Sequence, residues 1–297
     1  MNITISGASG LVGRRLMSVL GAAGHNLHAL SRHPGIGLPA GVGLSVWDGR
    51  TEPPRESLEN ADVVVHLAGE PVAQRWTPAV KQRIRDSRVL STGHLVQAIS
   101  KLSRRPGAFV CASAIGYYGP RGDEMLPESA APGPGFLEKV CVEWENAARA
   151  ASALGLRVTM VRIGVALDVR GGALARMLPP FRLGIGGPIA SGRQWMSWIH
   201  QADLAELLRF VIENPISGPV NGVAPHPVTN REFTRTLAGA IRRPAFFPIP
   251  GFGLKLLFGE VAELLVASQR VIPQAAESAG FRFRFPQLGP ALGDLLA

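Results

Sequence analysis

The chain has 297 residues, 46% hydrophobic and 18% charged, and its formal net charge is +9. This balance builds a sizeable core and excludes a disordered chain, while glycines and prolines scattered without period exclude collagen-like and low-complexity architectures. Excess positive charge attracts phosphorylated small molecules as readily as nucleic acid or anionic lipid. The cations here are spread along the chain, however, with only short groupings such as Arg104-Arg105 and Arg242-Arg243 and no nucleic-acid-binding motif beside them. The expected partner is therefore a small-molecule substrate, with no nucleic acid and no membrane.

In chain order, Ile3 to Ser6 reads as a strand, Gly7 to Gly13 as a glycine-rich turn, and Leu11, Leu16, Val19 and Leu20 as the apolar face of a helix stopped by Gly24. Strands follow at Asn26 to Leu30, Gly43 to Trp47 and Ala61 to Leu67. Thr77-Pro78 then supplies an N-cap and a first-turn proline for a helix whose apolar face carries Val80, Ile84, Leu95 and Ile99. Ala108 to Ser113 is a further strand, Gly116 to Gly135 a loop, Phe136 to Leu154 a helix and Val158 to Ile163 a strand. Beyond Ile163 the alternation breaks. Gly171-Gly172, Pro179-Pro180 and Gly184 to Pro188 argue against any regular element, and helices resume at Ala202 to Val211 and from Thr229-Asn230 to Leu237. The last sixty residues hold two or three helical pieces and the run Phe281-Arg282-Phe283-Arg284-Phe285.

Alternating strands and helices predict an α/β fold, a doubly wound parallel sheet of Rossmann type with a small, mostly helical C-terminal lobe. The expected boundaries are residues 1–165 for the dinucleotide-binding domain, completed by about 198–225, with 166–197 and 226–297 forming the cap over the substrate. Cys111 and Cys141 are the only cysteines and lack metal-ligand spacing, so a reducing, cytoplasmic setting and no metal are expected. The first residues run straight into a strand, so no signal peptide is read. The apolar run Phe246 to Phe258 is too interrupted by Pro, Gly and Lys255 to span a membrane.

Gly7, Gly10 and Gly13 lie between a strand and a helix. Bare backbone there lets N–H groups approach a pyrophosphate, and the helix N-terminus adds a field that favours the anion. The second strand ends Leu30-Ser31-Arg32-His33. It offers no carboxylate for an adenosine ribose hydroxyl, and the Arg32 guanidinium suits a 2′-phosphate, which selects NADP(H).

The segments Gly7 to Gly13, His66-Leu67-Ala68-Gly69 and Ala112-Ser113-Ala114-Ile115-Gly116-Tyr117-Tyr118-Gly119 resemble the extended branch of the short-chain dehydrogenase/reductase superfamily. Glu70-Pro71-Val72, Arg75-Trp76-Thr77, Ser87-Arg88-Val89, Trp198-Ile199-His200 and Ser268-Gln269-Arg270-Val271 narrow the similarity to its atypical "epimerase family" group, SDR39U1-like and YfcH-like proteins. The resemblance implies that Gly7, Ser9, Gly10, Leu11, Val12 and Gly13 hold the pyrophosphate, that Arg32 meets the 2′-phosphate and Asp48 the adenine, and that Leu67, Ala68 and Gly69 line the riboses. Ser113 matches the catalytic serine. The usual Tyr-x-x-x-Lys pair is missing: the best register puts Phe136 and Val140 at those positions, with Lys139 turned about 100° away.

Candidate catalytic residues are then Ser113, Tyr117 and Tyr118, and candidate substrate contacts are Glu70, Arg162, Arg193 and Trp195. Glu143 and Glu145 read as a solvated helix face, and His200 and Asp203 as a structural turn. The expected function is that of an NADP(H)-dependent oxidoreductase on a small carbonyl, alcohol or nucleotide-sugar-like compound. The alternative is a non-catalytic NADP(H)-sensing or partner-binding module. A homodimer is one option for the assembly.

Overall fold

The computed structural model describes residues 1–35, 37–249 and 259–297. Its centre is a seven-stranded parallel sheet of β1 (Asn2–Ser6), β2 (Asn26–Ser31), β3 (Gly43–Val46), β4 (Val63–His66), β5 (Ala108–Ala114), β7 (Arg157–Ile163) and β11 (Gly218–Gly222). The order across the sheet is β11-β7-β5-β4-β1-β2-β3. The direction of winding reverses between β1 and β4, which opens a crevice at the carboxyl ends of these strands.

Alternating side chains on each strand feed two cores. Ile3, Ile5, Val65 and Val110 meet Leu16 and Leu20 of α1 (Leu11–Ala22) and Leu204, Leu207 and Leu208 of α5 (Gln201–Glu213). Val64, Phe109 and Met160 meet Leu95 and Ile99 of α2 (Pro78–Ser100) and Trp144 and Ala148 of α3 (Phe136–Arg149). Each fully buried side chain of this size contributes about 1.5–3 kcal/mol, so the two layers fix the strand register. Thr77 accepts a hydrogen bond from the Val80 amide and Pro78 opens α2, as the Thr-Pro pair predicts.

Outside the main sheet, Leu174, Leu178 and Phe181 of α4 (Gly172–Arg182) join Phe233 and Leu237 of α6 (Asn230–Ala240) and Leu288, Leu292 and Leu295 of the closing helix Leu288–Leu296 in a third core. The helix α4 corrects the expectation of irregular chain in this stretch. Pro179 and Pro180 sit in its last turns, and three buried apolar residues offset the cost of the lost hydrogen bonds. Short strand pairs tie the lobe down: β8 (Val165–Asp168) with β10 (Trp198–His200), β9 (Trp195–Met196) with β12 (Val228–Thr229), and β13 (Arg270–Val271) with β6 (Met125–Leu126). Asp203 accepts hydrogen bonds from the Arg284 and Phe285 amides, anchoring the Phe-rich run. The apolar run Phe246 to Phe258 lies, from residue 250 onward, outside the described residues. Among the described residues no helix is long and apolar enough to cross a membrane.

Candidate functional site

The turn after β1 is built so that side chains are excluded. Gly7 has φ of +72°, and a Cβ there would lie 2.6 Å from the carbonyl carbon of Leu67. A Cβ on Gly13 would lie 2.3 Å from the Gly7 carbonyl oxygen. The Gly10 amide donates to the Gly7 carbonyl at 3.0 Å, and Gly10 is the N-cap of α1, with no side chain capping the helix. The first amides of α1 are therefore left for an external acceptor. Ser9 and Gly10 are exposed and Leu11 and Val12 half-buried, so the cradle opens outward. The same 2.6 Å approach presses the turn against Leu67 and Ala68, bringing together two segments sixty residues apart in the chain.

On the β2 and β3 side, Arg32 is exposed, and Asp48, also exposed, accepts the Arg50 amide at 2.9 Å. At the end of β4, His66 is fully buried between the Ser6 and Ser91 hydroxyls at 2.5 and 3.1 Å. Burial, helped by the nearby Arg88 charge, pushes its pKa down to about 3, so this imidazole stays neutral and structural.

At the end of β5 the candidate catalytic groups enter a closed network. Ser113 pairs with Arg162 in register across β5 and β7. The Ser113 hydroxyl donates to Glu145 Oε1 at 2.8 Å. Arg162 grips Glu145 through Nε to Oε1 at 2.7 Å and Nη2 to Oε2 at 2.8 Å. Its Nη1 donates to the Tyr118 hydroxyl at 2.9 Å and the Glu128 carbonyl at 3.0 Å. Tyr118 in turn donates to Asn221 Oδ1 at 2.7 Å. Arg162 and Glu145 are only 2% and 1% exposed, a buried bidentate pair that the reading of Glu145 as a solvated face missed. Burial pulls the Arg162 pKa down, but Glu145 and Tyr118 more than offset it and the guanidinium stays charged. Burial pushes Tyr118 up to about 12, so it holds its proton throughout the physiological range. Arg162 is thus committed to the protein interior instead of to a ligand.

Tyr117 is different. Its ring lies over the Arg162 guanidinium, 3.5 Å from centroid to Cζ, and it is half-buried. Among the described residues its hydroxyl has no hydrogen-bond partner, nor does it belong to the fully enclosed orphans.

The face of α3 turned to the loop after β5 carries Leu137 and Cys141. A Cβ on Gly116 would lie 3.7 Å from Leu137 Cβ and 3.9 Å from Cys141 Sγ. Leu137 and Cys141, which face this loop, have the same i, i+4 spacing that the sequence register gave to Phe136 and Val140. Phe136 instead meets Trp76 edge-on at 5.4 Å, and Val140 is buried in the core. Burial pushes the Cys141 thiol up to about 12.

Beside Cys141 stands a residue whose role the sequence left unread. Arg88 of α2 sends Nη1 to the Glu70 and Ile84 carbonyls at 2.9 and 3.0 Å, with Cζ 5.2 Å from the centre of the Trp144 ring. Its neighbour Ser87 accepts the Glu70 amide, and the Glu70 carboxylate accepts from Gln74 at 3.0 Å. Arg193 and Trp195 lie apart from these groups. They line a cleft of about 430 Å³ with Asp123, Gly192, Thr229 and Arg231. Trp195 Nε1 donates to Asp123 at 2.7 Å, and Arg270 covers the indole. Ser268 and Gln269 bond the carbonyls of Gly122 and Ile115, which explains the Ser-Gln-Arg-Val segment as a clamp on the loop after β5.

Comparison with known proteins places this geometry. The chain is 41% identical to the epimerase family protein Mb2239 of Mycobacterium bovis over 98% of its own length and 96% of that protein. It is 38% identical to human epimerase family protein SDR39U1, with full coverage of both chains. The crystal structure of human SDR39U1 (isoform 2) with NADPH superposes with a TM-score of 0.89 at 35% identity, covering 99% of each chain. Residues 249–295 match a domain of unknown function, DUF1731. Residues 3–224 match the NAD dependent epimerase/dehydratase family, and the chain belongs to that family.

Proposed function

We propose that this chain binds NADP(H) across the crevice between β1 and β4 and serves hydride transfer to or from a small carbonyl, alcohol or nucleotide-sugar-like compound. The observation that carries the reading is the turn at Gly7 to Gly13. Its backbone passes so close to Leu67, Ala68 and its own carbonyls that no side chain fits at Gly7 or Gly13, while the amides opening α1 have no side-chain cap. A diphosphate completes such a site. Gly7, Ser9, Gly10, Leu11, Val12 and Gly13 would hold it. Arg32 would take the 2′-phosphate, Asp48 the adenine side, and Leu67, Ala68 and Gly69 the riboses. The human relative crystallised with NADPH supports the same cofactor. When bound, the cofactor supplies hydride chemistry, and the protein supplies binding, orientation and exclusion of water.

Of the three candidate catalytic groups, Tyr117 fits the role of proton donor best, since the hydroxyls of Ser113 and Tyr118 are spent inside the protein. The cleft holding Arg193, Trp195 and Arg231 suits an anionic substrate. Glu70, held by Gln74, would position its near side. The enclosure of Ser113 and Tyr118 also favours a second reading, a module that senses NADP(H) without turnover. Titration with NADPH and NADH, followed by nicotinamide fluorescence, tests the first claim: preferential uptake of NADPH is expected, and uptake of neither refutes it. Absorbance at 340 nm over a panel of carbonyl compounds separates the readings. Turnover that disappears in Tyr117→Phe supports the oxidoreductase, and binding without any turnover supports the sensor.

A further inference from the structure

On the small lobe the chain after α4 and the chain after α6 run side by side. The Ala190 amide donates to the Ile249 carbonyl at 2.8 Å and the Ile249 amide to the Pro188 carbonyl at 2.9 Å, with Ile189 and Ile249 paired in parallel. Glycines let the two strips close up: a Cβ on Gly187 would overlap the Phe247 backbone, and one on Gly184 would meet the Pro244 ring at 3.5 Å. Phe181, in the last turn of α4, turns inward and is only 6% exposed. The residues beyond it do the reverse. Leu183, Ile185, Phe246 and Phe247 are 75, 56, 79 and 59% exposed. They are four of the ten exposed large apolar side chains among the described residues, so apolar surface is gathered at this tip and not scattered singly.

The rim of the tip is cationic. Arg182, Arg242 and Arg243 are all exposed. Among the described residues none of the three guanidinium groups has an ion-pair partner. Neither residues 182–190 nor residues 242–249 include an Asp or Glu. A second copy of the chain fits such a face poorly, because a two-fold axis would set the same arginines against one another around the apolar seam. A small anionic solute would leave four apolar side chains in water. An anionic bilayer answers both features: aliphatic and aromatic side chains enter the headgroup boundary while arginines meet lipid phosphates.

We propose that this tip docks on the surface of an anionic phospholipid bilayer, with Leu183, Ile185, Phe246 and Phe247 inserted and Arg182, Arg242 and Arg243 on the headgroups. The contact is peripheral, since among the described residues no helix is long and apolar enough to cross. It departs from the expectation of no membrane partner, because a chain needs no spanning segment to lie on a bilayer.

Co-sedimentation of the full-length protein with vesicles tests the proposal. Phosphatidylcholine vesicles are compared with vesicles that also contain phosphatidylglycerol. The wild type should partition onto the mixed vesicles, only weakly onto the neutral ones, and less as salt is raised. Phe246→Ser with Phe247→Ser should lower partition onto mixed vesicles at least about tenfold. Arg242→Gln with Arg243→Gln should lower it about 25-fold, roughly fivefold per arginine, and covers the case in which the Phe variant fails to fold. Arg55→Gln with Arg282→Gln removes the same charge outside the patch and should cost no more than about threefold. Equal losses in the two arginine pairs would mean that the net charge alone drives binding, and overturn the proposal. Wild-type protein that ignores both kinds of vesicle, or binds mixed vesicles equally well after the Phe substitutions, overturns it too. A wild-type dimer that ignores vesicles and dissociates on the Phe substitutions would assign the face to a second copy instead.

Discussion

The carboxyl ends of β1 and β5 are handled in opposite ways. After β1 the chain removes side chains and leaves backbone donors facing outward. After β5 it adds side chains and spends their polar groups on one another: Ser113 on Glu145, Glu145 on Arg162, Arg162 on Tyr118 and Tyr118 on Asn221. The first arrangement leaves its donors to an external acceptor, whereas the polar groups of the second are paired within the protein. A polar residue at a strand end therefore does not mark a ligand site by itself. What separates the two ends is whether its donors and acceptors are already paired.

The largest expected effect breaks the closed end. Glu145→Ala leaves the Arg162 guanidinium buried without its counter-ion, and thermal or urea unfolding should show a loss of about 3–5 kcal/mol. Replacing both partners with apolar residues, Glu145→Leu with Arg162→Met, should recover much of that loss, because no lone charge remains. If the single variant melts like the wild type, the network is not the structural unit described.

The open end should respond in binding and not in folding. Gly10 has φ of −72°, which any residue adopts, and a Cβ there meets only the Gly7 carbonyl oxygen, at 3.2 Å. Gly10→Glu should fold, yet place a carboxylate where the diphosphate would sit. Calorimetry should show NADPH affinity reduced at least about 100-fold, near 2.7 kcal/mol, with the unliganded melting temperature little changed. Gly13→Ala should instead destabilise the unliganded protein, because its Cβ would meet the Gly7 carbonyl oxygen at 2.3 Å. Equal behaviour of the two variants would erase the distinction between a glycine kept for the ligand and one kept for the turn.

These ends differed in how far the sequence revealed them. The glycine turn is local: a strand, three glycines at fixed spacing and a helix lie within about twenty residues, and backbone sterics alone demand the pattern. The parallel sheet was legible for a similar reason, since each strand carries its own apolar run. The Ser113–Glu145–Arg162 contact joins three elements, and nothing in the helical pattern around Glu145 announces an ion pair. Arg88 entered only as part of the Ser87-Arg88-Val89 resemblance, with no role attached, because Gly69, against which it lies, is nineteen residues earlier. Phe136 and Val140 have the same spacing as Leu137 and Cys141, the pair that lies beside Gly116. Which pair faces Gly116 depends on how the helix is rotated against the sheet.

Acid should probe the floor of the crevice. His66 is held neutral with its pKa near 3, whereas an unfolded histidine titrates near 6.5. Above about pH 7 neither state binds the proton and the full stability is present. As pH falls below 6.5 the unfolded chain takes up a proton that the folded imidazole refuses, so folding weakens by up to about 1.4 kcal/mol per unit until the folded value is reached. Unfolding at pH 7 and pH 5.5 should therefore differ by about 1 kcal/mol more in the wild type than in His66→Gln. Identical pH slopes in the two proteins would show that His66 is not the responsible group.

The smallest expected change lies at the adenosine end and sharpens the comparison furthest. Arg32 is exposed, so its contact with a 2′-phosphate would be screened by solvent and contribute less than a buried pair. Arg32→Asp should weaken NADPH by about tenfold while leaving NADH unchanged or slightly tighter, since the new carboxylate repels the extra phosphate and can accept from a ribose hydroxyl. Competition between the two reduced cofactors, read by fluorescence at matched ionic strength, gives the ratio directly. The effect should shrink as salt is raised, whereas the loss in Gly10→Glu, which is steric as well as electrostatic, should persist. An Arg32→Asp ratio equal to that of the wild type would mean that the open end recognises the diphosphate alone and that the choice between the two dinucleotides is made elsewhere in the crevice.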